Sequence, residues 1–373
     1  MKPETIAIHA GHQNDPATGA VIAPIHLSTT FERQPDGEYP HGFVYSRNAN
    51  PNRMILEESI SAIEGGVAAA AFASGSVAMM TVLQALRPGN HVIAPEDLYY
   101  GSRKVLTEIF VPWGLEVSFV DLTNVTAVAN AIQPNSKLII VESPSNPMIK
   151  VADIQTLADL AHQNNAKLLC DNTIPSPIGQ RPFALGADMI VHATTKYLSG
   201  HSDVIGGILV TRAEDDLFER IRMIQTVGGA VPSPFDCWLA HRGLQTLPYR
   251  MRAQTNNAML IAQFLDSHPA IETVLYPGLL SHPQHELAAR QMILSGALMS
   301  VLVKGDEAAA MQVAANVNLF TRATSFGGTH SLIEHRASIE HPETTTPRNL
   351  LRLSIGLENV EDLIADLQQA LLF

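Results

Sequence analysis

The sequence predicts an α/β chain in which a mostly parallel seven-stranded sheet, covered on both faces, precedes a smaller α+β domain. Three observations carry this reading. Seven short apolar segments bounded by turn residues recur: "AAAAFAS", "HVIAP", "EVSFVD", "KLIIVES", "KLLCDN", "DMIVHAT" and "GGILVT". Helical stretches such as "DIQTLADLAHQNN" lie between them, the alternation expected of parallel strands joined by helical crossovers. After about Gln245 the texture changes to a long helix followed by strand-like runs and a closing amphipathic helix.

At 373 residues, 46% apolar and 16% charged, the chain can bury a large core and build two domains. The net charge of −12, without a basic run, gives no electrostatic support for binding nucleic acid or an anionic membrane. Two cysteines, Cys170 and Cys237, make no disulfide framework. The start "MKPETIAIHAGHQND" lacks the apolar stretch of a signal peptide, and runs such as "ALMSVLV" fall far short of a membrane span of ~20 residues. A soluble cytoplasmic protein is expected.

In chain order, residues 1–50 lack strong periodicity and carry Pro3, Pro16, Pro24, Pro35 and Pro40, which reads as an extended arm that packs on something, such as another subunit. Residues 51–244 hold the α/β domain. Its first helix, "RMILEESISAIEGG", places Ile55, Ile60 and Ile63 at helical spacing and stops at Gly65–Gly66. Residues 245–373 hold the second domain: "MRAQTNNAMLIAQFLDSH" as a helix, "GALMSVLVKG", "NLFTRATSFGG" and "LLRLSIGLE" as strands, and "NVEDLIADLQQALL" as a helix with Asn359 near its start.

Ligands of open α/β sheets sit beyond the carboxyl ends of the strands, so polar residues just after strands draw the eye. Lys196 follows "DMIVHAT"; held in a dry site, a lysine has a depressed pKa and its free amine attacks carbonyls. A surface lysine at a strand exit is the plain alternative. Asp171 ends "KLLCDN", where a carboxylate needs a cation or donors. No His/Cys cluster of metal-ligand spacing surrounds it, and a helix cap is the other explanation. In "ASGSVAMM", Gly75 and Ser76 open a helix whose N–H groups suit an anion, although a capped helix alone would look the same. Together the three match pyridoxal 5′-phosphate: an amine for its aldehyde, an acid for its ring nitrogen and a helix start for its phosphate.

Longer stretches then carry a family resemblance. "VIAPIHLSTTF", "YSRNANPNR", "EGG", "ASGS", "VESPSNPMIKVADI", "DNTIPSP", "TKYLSGHSDVIGG" and "LLRLSIGLENVEDLIADL" resemble the cystathionine γ-synthase/γ-lyase family of pyridoxal-phosphate enzymes over nearly the whole chain. The resemblance implies the aspartate-aminotransferase fold and a homotetramer built from two tight dimers. It implies that Lys196 carries the cofactor and shuttles protons, and that Asp171 holds the ring nitrogen protonated. It further implies that Tyr99, with Tyr100 a second candidate, stacks on the ring, and that Asn146 lies near the ring hydroxyl and the substrate carboxylate. By the same resemblance Arg352 clamps the substrate carboxylate, with Ser325 also on the substrate side, and Thr195 binds phosphate with Gly75 and Ser76. Tyr45 and Arg47 cross to hold the phosphate of a neighbouring subunit.

Three positions depart from the family pattern. Ala193 stands where a first phosphate-binding serine is common, a loss on the order of 1 kcal/mol. His330 stands where relatives carry a glutamate near the far end of the substrate. Gly101 replaces the cysteine typical of methionine γ-lyases, whereas Lys104 keeps a positive charge suited to a distal carboxylate. The implied activity is γ-elimination or γ-replacement on cystathionine or an O-acyl-homoserine, with cystathionine β-lyase or O-acylhomoserine sulfhydrylase as alternatives. A pyridoxal-phosphate binder without turnover conflicts with the retained Lys196, Asp171 and Arg352. A nicotinamide dehydrogenase lacks its G-x-G-x-x-G.

Overall fold

Each of the seven apolar segments forms a strand: β1 (Ala68–Phe72), β2 (His91–Pro95), β3 (Glu116–Val120), β4 (Ser136–Glu142), β5 (Lys167–Asp171), β6 (Met189–His192) and β7 (Gly207–Thr211). These belong to a computed structural model that describes residues 1–12, 14–340 and 344–372. The strands join one sheet in the order β1-β7-β6-β5-β4-β2-β3, parallel except that β7 runs against both β1 and β6. Because β1 and β6 both oppose β7, the carboxyl ends of β1, β4, β5 and β6 share one edge of the sheet.

Successive side chains of a strand face opposite sides, and both sides are buried here. Ala69, Ala71, Ile139, Val141, Ile190 and Val210 enter one apolar cluster, while Ala70, Phe72, Leu138, Ile140, Val191 and Leu209 enter the other. The terminal strand β3 is only half-buried, so the expectation of seven buried strands fails there.

The first long helix, Pro51–Glu64, is capped by the Asn50 side chain and ends at Gly65 in the left-handed conformation, with φ 82°. The helix Gly75–Ala85 leaves β1 through Ser74, whose hydroxyl accepts from Val77 N at 3.2 Å. Its start packs so closely on β7 that a Cβ on Gly207 would lie 2.3 Å from Ser74 O.

The second sheet runs β10-β11-β12-β9-β8, built from β8 (Ile271–Leu275), β9 (Leu298–Val303), β10 (Thr321–Arg322), β11 (Leu332–His335) and β12 (Leu350–Ser354). Two of these, β8 and β11, escape a sequence reading. β8 spans only five residues, and its burial does not alternate, with Glu272 and Thr273 both exposed, while β11 holds two charged or titratable residues in four. Conversely "NLFTRATSFGG" supplies only the two-residue β10; the rest turns through Ser325, Gly327 and Gly328. The long helix spans Leu247–Asp266 and the last helix Val360–Ala370, where Asn359 accepts from Glu361 N. The arm also begins with a short helix, Pro3–His9, before its irregular run.

One apolar cluster runs through both parts of the chain, from Ile60 and Cys170 to Val301 and Leu353. A buried polar chain does the same. His192 Nε2 lies 2.5 Å from Glu64 Oε1, which also accepts from Asn172 Nδ2 at 2.9 Å. Gln180 Nε2 donates to Asn172 Oδ1, and Gln291 Nε2 donates to Gln180 Oε1, each at 3.1 Å. Gln291 belongs to the helix His285–Gln291 of the second domain.

The close approach at β7 gives a direct test. Gly207→Ala should cost about 1–3 kcal/mol through overpacking and push the Ser74–Gly75 turn out of place. Thermal unfolding of the cofactor-free protein should show the loss; an unchanged midpoint would contradict the packing.

Candidate active site

The shared carboxyl edge delivers several chemistries to one place. β1 leads into Ser74, Gly75 and Ser76; β4 ends in Glu142; β5 ends in Asp171; and β6 leads through Ala193 to Thr195 and Lys196. All line one cavity of about 450 Å³, closed on its far side by Thr324, Ser325, Phe326, Arg336, Glu340 and Arg352 from the second domain. Tyr99, Tyr100 and Asn146 also face it.

Lys196 Nζ donates to Ser325 Oγ at 2.6 Å and lies 4.9 Å from the centre of the Phe326 ring. Burial, reinforced by the positive charge of Arg352, lowers its pKa to about 8. The plain alternative of a surface lysine is therefore excluded.

Ser325 has φ 84°, a left-handed conformation uncommon outside glycine. That turn lets its hydroxyl meet Lys196 while its carbonyl accepts from Arg352 Nη2 at 2.9 Å. Arg352 Nη1 donates to Asn146 Oδ1 at 3.0 Å, and Nη2 pairs with Glu334 Oε2 at 2.6 Å. Glu334 sits directly opposite Arg352 in the β11–β12 register. Burial holds the Arg352 pKa down, at about 10, so it stays charged at neutral pH.

Asn146 is fixed from the second domain. Ser300 Oγ donates to Pro147 O at 2.7 Å, and His282 Nε2 lies 3.1 Å from Ile149 O.

Asp171 is not a helix cap: its Oδ1 accepts from Thr173 N at 3.0 Å within a turn. Burial raises its pKa and the Thr173 hydrogen bonds oppose the shift. Its strand neighbour Glu142 lies opposite in register and accepts from Tyr99 N at 3.0 Å. Burial and the Asp171 charge raise the Glu142 pKa well above the carboxylate range. Glu142 escaped the sequence reading, although "VES" ends the strand beside Asp171 and so marks the same edge.

Gly75 opens its helix against Ala193: a Cβ on Gly75 would lie 2.9 Å from Ala193 Cβ. Thr195 Oγ1 bonds both Gly206 N, at 3.0 Å, and Gly206 O, at 3.2 Å, while lining the cavity. A Cβ on Gly101 would press on the Tyr99 ring at 2.7 Å, so a side chain there would displace that ring.

Other expected residues lie elsewhere. His330 is exposed and does not line the cavity; Thr324, just before Ser325, does. The turn at Ser325–Gly328 carries His330 past the site, a reversal that linear spacing does not reveal. Lys104 lines an adjoining cavity, with its ammonium 5.1 Å from the Tyr100 ring centre. Tyr45 and Arg47 are exposed and stand outside their own chain's cavity, Arg47 Nη1 donating to Thr226 O at 2.9 Å. Arg336, Glu340, Thr324 and Glu334 were not anticipated, since β11 itself was not.

Among the described residues no group of three or more His, Cys, Asp and Glu side chains could hold a metal ion, and no helix is long and apolar enough to cross a membrane.

The chain is 46% identical to cystathionine gamma-synthase of Mycobacterium bovis, covering 99% of this chain and 96% of the relative. It is 44% identical to cystathionine gamma-lyase of Dictyostelium discoideum, covering 98% and 97% of the two chains. It is 41% identical to cystathionine beta-lyase of Coxiella burnetii, covering 99% and 97%. The crystal structure of metB from Corynebacterium glutamicum superposes with a TM-score of 0.97 at 42% identity, covering 100% of this chain and 98% of the other. Residues 4–372 match the family described as Cys/Met metabolism PLP-dependent enzyme, and the chain belongs to that family.

Proposed function

We propose that this chain binds pyridoxal 5′-phosphate on Lys196 and uses it for γ-elimination or γ-replacement on cystathionine or an O-acyl-homoserine. The observation that carries this reading is the half-buried Lys196 amine, hydrogen-bonded to Ser325 Oγ and sharing one cavity with Arg352, Asp171 and the Gly75 helix start. The residues present suit the cofactor. Asp171 directs a carboxylate to the cavity with Thr173 as its hydrogen-bond partner, and the Gly75 helix start offers N–H groups. Tyr99 supplies an exposed ring in the same cavity.

Bound there, the cofactor supplies an electron sink for charge developing on the substrate Cα. Arg352, held by Asn146, Ser325 O and Glu334, presents remaining N–H groups to the substrate carboxylate, a bidentate task that suits a planar guanidinium. With the cofactor in place, the buried Asp171 carboxylate would hold its ring nitrogen protonated, because burial makes an unpaired carboxylate costly and a cationic partner offsets that cost. Lys196 Nζ would hold the group through its aldehyde and, when free, would serve as the base that takes the substrate Cα proton and the acid that returns it. Ser325 Oγ keeps that amine in place between the two steps.

Tyr45 and Arg47 serve a second copy of the chain, whose cavity they complete; their exposure and their distance from their own cavity support this. The sites then depend on a homo-oligomer.

Product analysis and targeted substitutions test the reading. Mass spectrometry of products from L-cystathionine should show cysteine with 2-oxobutyrate; homocysteine with pyruvate would move the reaction to β-elimination. Lys196→Ala should cost at least about 10²–10⁴-fold in turnover from lost proton transfer alone, and turnover surviving that change would sink the mechanism.

In the cofactor-free protein, the rate of linkage to added pyridoxal phosphate should rise with pH and level off above about pH 8, as Lys196 loses its proton. Arg352→Gln removes a positive neighbour, so Lys196 holds its proton longer and the inflection should move to higher pH. An unmoved inflection would contradict the electrostatic account.

Mixing Lys196→Ala with Arg47→Ala protein should restore about a quarter of wild-type activity, because a random symmetric exchange of subunits yields one intact site per mixed pair. No recovery, with subunit exchange confirmed by mass, would place Arg47 in its own subunit's function.

A further inference from the structure

Two carboxyls stand side by side at the carboxyl edge of the sheet, and the protein supplies no cation to either. Glu142 and Asp171 are partners in register on the adjacent parallel strands β4 and β5. Each lies two residues after a member of the same apolar cluster, Ile140 and Leu169, so both side chains leave the sheet on one face, and both line the Lys196 cavity. Among the described residues neither carboxyl enters an ion pair. Two ionised carboxylates in such a place repel each other and lose hydration, so one of the two keeps a proton.

The surroundings decide which one. Glu142 is only 7% exposed, whereas Asp171 is half-buried. Burial, the Asp171 charge and the charge of Asp97 hold the Glu142 pKa up, against the backbone N–H groups of Tyr99 and Asn146. Asp97 is itself fixed by the Ser145 hydroxyl at 2.5 Å. Asp171 instead takes both the N–H and the hydroxyl of Thr173, and these bonds, with His192 on β6, favour its charged form. Lys196, from the turn after β6, and Arg336, Glu340 and Arg352, from the second domain, line the same cavity without pairing with either carboxyl. The proton therefore belongs on Glu142 and the negative charge on Asp171.

Glu142 also ties two sides of the site together. Its Oε2 accepts from Tyr99 N at 3.0 Å, and the Asn146 N–H faces the same carboxyl. Asn146 in turn accepts from Arg352 Nη1 at 3.0 Å. One side chain thus holds the backbone of Tyr99 and of the residue that braces Arg352.

We propose that Glu142 is a positioning residue of the cofactor site that works as the neutral acid, leaving Asp171 as the single negative charge there while its own oxygen fixes Tyr99. This rests on the proposed cofactor and deepens that reading, because a ring nitrogen is kept protonated by one ionised partner, and a second anion beside it would unsettle both carboxyls.

The first readout needs neither activity nor cofactor. Infrared spectra of the full-length, cofactor-free protein at neutral pH should contain the carbonyl stretch of a protonated carboxyl that disappears in Glu142→Gln. In Asp171→Asn the neighbouring charge is gone, the Glu142 pKa falls, and that band should titrate away at lower pH than in wild type. A band absent at neutral pH, or one that titrates identically in Asp171→Asn, would overturn the proposal. The second readout is the dissociation constant for pyridoxal phosphate. Glu142→Ala, which removes the acceptor of Tyr99 N, should weaken it by about tenfold or more, the scale of one buried hydrogen bond left unmade. Glu142→Gln, neutral but still an acceptor, should recover most of that loss. A glutamine variant as weak as the alanine variant would show that the charged form is needed, and an alanine variant as tight as wild type would remove the positioning role; either result refutes the proposal. If Glu142→Ala does not fold, the glutamine variant and the infrared band carry the decision. If wild type does not bind pyridoxal phosphate at all, the cofactor reading fails on its own, and the infrared band still decides where the proton resides.

Discussion

The Lys196 amine is kept dry with a neutral partner, the Ser325 hydroxyl, and with two guanidinia, Arg352 and Arg336, lining the same cavity. Three potential cations in one partly closed space would repel one another strongly at low dielectric. Much of the surrounding structure answers that constraint. Glu334 lies between the two arginines and takes one hydrogen bond from each on a single oxygen, and Glu340 takes a further one from Arg336. The lysine is left without a carboxylate partner of its own, so its proton is the one given up. The arrangement separates the groups by charge: the two guanidinia are paired with Glu334, and the amine is the group whose pKa falls.

The same logic places the opposite charges at the other end. Asp171 and Glu142 stand side by side on adjacent strands, where two ionised carboxylates would repel. Burial and mutual repulsion favour one proton between them, and Tyr99 N fixes Glu142 on the side away from the sheet. Because the second domain supplies the arginines and the first supplies the lysine and the acids, neither half of the chain holds a usable site alone.

What could be read from the sequence follows from how local the causes are. β1 to β7 announce themselves because buried strands are short apolar runs between turns, and the residues immediately after them, Lys196, Asp171 and Gly75, inherit a known edge. The second domain hides better. β11 reads "LIEH", two apolar and two polar residues that show no alternation long enough to detect. Glu334 is buried because it pairs with Arg336 and Arg352, and such pairing is invisible until the strands are in register. His330 illustrates the opposite error. Its place in a motif suggested a role, but the left-handed turns at Ser325 and Gly327 send the chain away from the cavity. Family resemblance named residues that the structure gathers at one cavity; register and turn geometry set that cavity's walls.

The buried polar chain from Glu64 through His192, Asn172 and Gln180 to Gln291 has a mechanical consequence. Its last member, Gln291, crosses from the second domain to the first with three bonds, to Gln180 Oε1, Ala152 O and Ile154 N, within the interior where water replaces them poorly. Swinging the second domain open as a rigid body would strand several of these groups together, at about 1–3 kcal/mol each. That toll favours a gate made of small parts. Side chains at the cavity, such as the exposed Tyr99, can move at far smaller cost than the frame between the two sheets.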